Sequence, residues 1–144
     1  MARVGILLLA ALLTAAPLAQ ACGYCVEDKM ASVYDHAVVA KALGQKHQVA
    51  FFHVDGALGA GRPALLQAVE SVPGADRHSV RISVESAALS VAFDPKRMPV
   101  AALQNEIERK LAARKLSLML LQVMDRPADF SPSASAAMKK REGR

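Results

Sequence analysis

Between Gln48 and Met124 the spacing of apolar residues alternates between the two-residue period of a strand and the 3.6-residue period of a helix, in an order few folds accommodate. Gln48 to Asp55, rich in Val and Phe, reads as a strand and runs into a glycine-rich loop, Gly56-Ala57-Leu58-Gly59-Ala60-Gly61. Arg62 to Val72 reads as a helix, with Pro63 in its first turn, Leu65, Leu66, Val69 and Val72 on one side, and Pro73-Gly74 as its stop. Two alternating segments follow, Val80, Ile82 and Val84 in one and Leu89, Val91 and Phe93 in the other, joined as a hairpin through Glu85 to Ala88. Pro99 to Lys115 carries Val100, Leu103, Ile107 and Leu111 at helical spacing, and Leu116 to Met124 is a strand that is apolar on both faces.

The resulting β-α-β-β-α-β order predicts an α+β fold, the split βαβ pattern of a ferredoxin-like sandwich, with two helices on one face of the sheet. In that topology the first and last strands are neighbours. Both are apolar on both sides, so Phe51, Met119 and Leu121 would leave a large open patch on the outer face. An N-terminal segment can cover it: Val26, Met30, Val33, Tyr34, Ala37, Val38 and Leu43 recur near the spacing of one helix face, predicting one helix from Tyr24 to about Leu43, ended by Gly44. A dimer partner is the other possible cover.

Residues 1–21 have the parts of a secretory signal: Arg3, an apolar run from Val4 to Leu13, Pro17, and small residues before Cys22. The apolar run is about half the roughly 20 residues a spanning helix needs, so cleavage and export, to the periplasm or its equivalent, is the expectation. The remaining organisation is a motif and helix over 22–46, one domain over 47–124, and an aperiodic, disordered tail over 125–144 that ends in Lys139, Lys140, Arg141 and Arg144. The net charge is +5, but the basic residues are otherwise scattered and aromatics are few, which argues against nucleic acid as a partner.

The only two cysteines, Cys22 and Cys25, form Cys-Gly-Tyr-Cys directly behind the expected cleavage site. Two soft thiolates at this spacing can converge on one soft ion such as Cu(I), and the start of a helix favours the thiolate form. The same pair could instead exchange disulfides with protein thiols or close a structural disulfide, the latter worth only about 2 kcal/mol for so short a loop. Membrane association is expected only if Cys22 is lipidated, which Gln20 disfavours. Of the four histidines, His36 lies about three turns beyond Cys25 on the predicted helix, His78 falls before the hairpin, and His47 and His53 share a strand face with Phe51, where either could approach the end of that helix. Met30, one turn from the motif, could donate a thioether but suits the core better. No paired carboxylates, Ser-His-Asp set or nucleotide motif points to an enzyme.

The stretch from Phe52 to Val123 resembles the heavy-metal-associated domain, the ferredoxin-like module of copper chaperones, mercury-binding proteins and metal-pumping ATPases. The resemblance rests on Phe-x-Val-x-Gly at Phe52 to Gly56, on Ala68-Val69 through Val72-Pro73-Gly74, on Ser79 to Ile82, on Leu89 to Pro95, and on Leu103 with Ile107-Glu108. It implies soft-metal binding and transfer to another exported metal-handling protein. It also implies a Gly-Met-x-Cys-x-x-Cys loop after the first strand. Here the cysteine positions fall on Gly59 and Arg62, or on Leu58 and Gly61, and the methionine position is Ala57. The loop therefore reads either as a turn kept for its backbone or as glycine amides that, with Arg62, receive an anion. Metal binding, most plausibly of copper as Cu(I), falls to Cys22 and Cys25, with disulfide exchange or a partner-binding module stapled by a disulfide as alternatives.

Overall fold

The computed structural model describes residues 25–59 and 62–126. The expected signal segment, Cys22 and the basic end lie outside them. The described chain is α+β: helices α1 (Val26–Val33) and α2 (His36–Gly44), strand β1 (Gln48–Asp55), helix α3 (Arg62–Glu70), strands β2 (Arg81–Ser83) and β3 (Ala88–Phe93), helix α4 (Val100–Leu111) and strand β4 (Ser117–Met124). The four strands form one antiparallel sheet in the order β2-β3-β1-β4.

β1 sits between β3 and β4, and its alternation divides the molecule into two cores. Ala50, Phe52 and Val54 face α3 and α4, where they pack with Leu65, Val69, Leu103 and Ile107. Val49 and Phe51 face the other way, into a second core with Met30 and Val33 of α1, Val39 and Ala42 of α2, and Met124 of β4. Phe51 is fully buried there, so its part of the outer face is covered within the chain. Full burial of a Phe side chain is worth about 1.5–3 kcal/mol.

The residues of β3 that alternate with its large core side chains explain how the covering helices come so close. Ala88 and Ala92 are small, and Ser90 between them donates its hydroxyl to the carbonyl of Val33 at 2.8 Å. That carbonyl lies in the last turn of α1, where no intrahelical partner exists.

The continuous helix expected from Tyr24 to Leu43 is two helices. Tyr34 is extended (φ −75°, ψ 126°) and Asp35 is the N-cap of α2, its Oδ1 accepting from the backbone N–H of Ala37 at 2.9 Å and of Val38 at 3.2 Å. Oδ2 of the same carboxylate accepts from Arg81 Nε at 2.9 Å and Nη2 at 2.8 Å. One side chain thus breaks the first helix, starts the second, and ties the break to β2. The strand β2 is also shorter than the alternation suggests, and Val84, expected in it, is 44% exposed in the turn before β3.

The amides of Val38 and Ala37 and the Arg81 guanidinium hold the Asp35 carboxyl below its ordinary 3.8. A depressed folded pKa means that the stabilisation is complete above the unfolded value and is lost as pH falls through the folded one. Asp35→Asn keeps a capping oxygen but loses the ion pair, so in urea unfolding it should cost about 0.5–1 kcal/mol at neutral pH. The difference from the wild type should shrink as the pH is lowered below 3.8 and the carboxylate becomes protonated. A gap that persists there would contradict this role.

Candidate functional site

α1 lies over the sheet with its first residues at the end where β1 runs out into the glycine loop. Lys29, one helical turn after Cys25, fixes this placement: its Nζ is 2.8 Å from Nδ1 of His53 and donates to the Ser86 carbonyl at 3.2 Å. Ser32 and Ser86 share a hydroxyl hydrogen bond between the same two elements. Cys25 is the N-cap residue of α1 (φ −59°, ψ 150°), and its carbonyl accepts from Asp28 and Lys29 as the helix begins. Its side chain makes no capping hydrogen bond and is exposed. Glu27 and Asp28 occupy the first turn of the same helix.

The histidines separate cleanly. His53 is at the Cys25 end of β1, its Nδ1 also 2.9 Å from the Ala87 carbonyl. His47 belongs to the opposite end, with Nδ1 2.8 Å from Asp76 Oδ2 and Nε2 3.9 Å from Asp94 Oδ2. His36 opens α2 and lines a groove of about 470 Å³ with Tyr34, Val39, Leu43 and Asp125. His78 is an exposed loop residue at φ 62°. Met30 is buried in the second core, which removes it as a thioether donor at the surface.

One neighbour of His53 was not read as functional from the sequence. Met119 of β4 is its direct cross-strand partner, on the same face, and is 56% exposed. The available signal was a methionine in a strand apolar on both faces, with too little helix above it to cover both Phe51 and Met119. Val26 and Val84, also exposed, belong to the elements that meet at this end.

The loop after β1 lacks the sulfur that its resemblance implies. Leu58, one of the positions that would carry sulfur, is buried against the main core. Gly56 has φ 111°, and a Cβ there would come within 2.8 Å of both Leu116 Cδ2 and the Lys115 carbonyl. The donor set lacks a thiol, and Gly56 and Leu58 serve packing. Gly56→Ala is expected to cost about 1–3 kcal/mol in urea unfolding and to leave metal binding unchanged. An unaltered midpoint would contradict the close approach.

Among the described residues no group of three or more His, Cys, Asp or Glu could hold a metal ion, and no helix is long and apolar enough to cross a membrane. No family model matches the chain, and no curated protein matches it.

Proposed function

We propose that this chain is an exported, non-catalytic carrier of a soft metal ion, Cu(I) foremost, which it takes as cargo through Cys22 and Cys25 and passes to another exported metal-handling protein. The observation that carries the reading is the position of Cys25. It is exposed at the start of a helix whose contact with His53 holds that start beside the outflow of β1. In the heavy-metal-associated domains that the sequence resembles, the metal is held at this same end of the sheet. The thiols have moved from the loop to the added helix while the end of the sheet that presents metal is retained.

The strand order supports the ferredoxin-like part of this reading. From the β4 edge it runs 4-1-3-2, and the helical connections β1-α3-β2 and β3-α4-β4 each step over one strand. Two thiolates suffice for linear Cu(I), whereas Zn(II) normally requires four ligands, so the donor set favours the softer ion. The exposed Val26, Val84 and Met119 around the site suit a surface that meets its recipient transiently.

Reduced protein lacking residues 1–21, offered one equivalent of Cu(I) without oxygen, should retain one copper in native mass spectrometry. Cys25→Ser should abolish tight retention. Failure to bind, together with a mass two hydrogens below the dithiol that resists mild reductant, would overturn the metal reading in favour of a structural disulfide. Rapid reversible reduction, with disulfide reductase activity, would favour thiol exchange.

A further inference from the structure

Resting on the soft-metal reading, we propose that His53 and Met119 form a second, weaker site for Cu(I) or Ag(I) on the outer sheet face, beside the cysteine pair. Antiparallel partners in direct register place their Cβ atoms about 4.5–5.5 Å apart on one face, within reach of a single ion between an imidazole nitrogen and a thioether. His53 and Met119 are such partners. Thioether sulfur and imidazole both suit Cu(I), and neither has to lose a proton from its ordinary neutral form to bind it.

The environment of the ring decides which nitrogen is offered. Nδ1 has two neighbours that require opposite tautomers: the Lys29 ammonium at 2.8 Å can only donate, and the Ala87 carbonyl at 2.9 Å can only accept. When Nδ1–H donates to Ala87, Nε2 carries the lone pair. A backbone carbonyl on one ring nitrogen is the usual way a metal-binding histidine is oriented through the other. Lys29 then retains the Ser86 carbonyl, at 3.2 Å. When Lys29 donates to Nδ1, the proton is on Nε2 and the ring cannot bind metal. Lys29 therefore competes with the metal, both by setting the tautomer and by its charge.

The thioether completes the site from the other side. Nδ1 is engaged toward the turn before β3, whereas Met119 approaches from β4, on the opposite flank of β1. Exposure of more than half of a methionine on a face otherwise covered by helices leaves its sulfur accessible to an ion arriving from the Cys25 end. The arrangement gives the carrier a nitrogen-sulfur station of lower affinity, where an ion can rest between thiolate capture and delivery.

The test uses the chain from residue 22 with both cysteines changed to serine, titrated with Ag(I), a redox-inert probe of Cu(I) sites, and followed by NMR of methionine methyl and histidine ring signals. One equivalent should shift Met119 and His53 and leave the Met98 methyl in place. Met119→Leu, an exposed and volume-conserving change, and His53→Gln, which keeps a donor for Ala87, should each weaken binding roughly tenfold or more. Lys29→Leu, which removes the competing ammonium without adding a donor, should tighten it. No shift at Met119, or equal shifts at Met98 and Met119, would overturn the site even if the wild-type cysteines bind copper. Retained binding in the serine variant, with no copper held by the wild-type thiols, would instead sink the cysteine reading and leave this site standing.

Discussion

The seating of α1 and α2 on the outer face of the sheet is the constraint from which the rest follows. Phe51 has to be buried on that face because the β1 alternation that puts Phe52 into the main core necessarily turns Phe51 away from it. The small residues of β3, Ala88, Ser90 and Ala92, make room for helices at that distance. Without the cover, the outer face would be a hydrophobic patch on an otherwise small domain. With it, the helix that carries Cys25 has a fixed direction and a fixed end.

Polar contacts then set position where apolar packing sets only proximity. Asp35 and Arg81 hold the turn between the covering helices to β2, and Ser90 secures the last turn of α1. At the other end of α1, Lys29 reaches across to His53 and Ser86. These contacts clamp α1 at both ends, and the Cys25 end is the exposed one. Two histidines show what the clamp accomplishes: His47, just before β1, is absorbed by Asp76 and Asp94 at the far end, while His53 within β1 is held by Lys29, one helical turn after Cys25. A mobile tether would present Cys25 anywhere; this arrangement holds it at one end of the sheet.

Much of this was legible in the sequence, and the exceptions have physical causes. β1 spans the residues its alternation marks, and the two connecting helices begin close to where their first-turn signals put them, because Pro63 and Pro99 mark their starts. The break at Tyr34 was hidden because apolar spacing continues across it, from Val33 and Tyr34 to Ala37 and Val38, and a single Asp35 inside that stripe was not read as an N-cap. In β4 the register shifts between Phe51 and Phe52 of its partner, leaving Leu121 as an extra residue. Beyond that bulge a strict two-residue alternation no longer tells which side chains are covered, and the exposure of Met119 could not be read from spacing alone. The missing sulfur in the glycine loop, by contrast, was plain from residue identities, and the burial of Leu58 supplies the structural counterpart.

If Cys22 and Cys25 capture the metal, sulfur must hold it. Cu K-edge X-ray absorption of the one-copper form, prepared from the reduced chain beginning at Cys22, reports the first coordination shell directly. A shell dominated by two sulfur scatterers at low coordination number is the result expected of a carrier that captures Cu(I) with Cys22 and Cys25 at the start of α1. A shell of nitrogen and oxygen alone would contradict it, because it would mean that the relocated thiols do not take part.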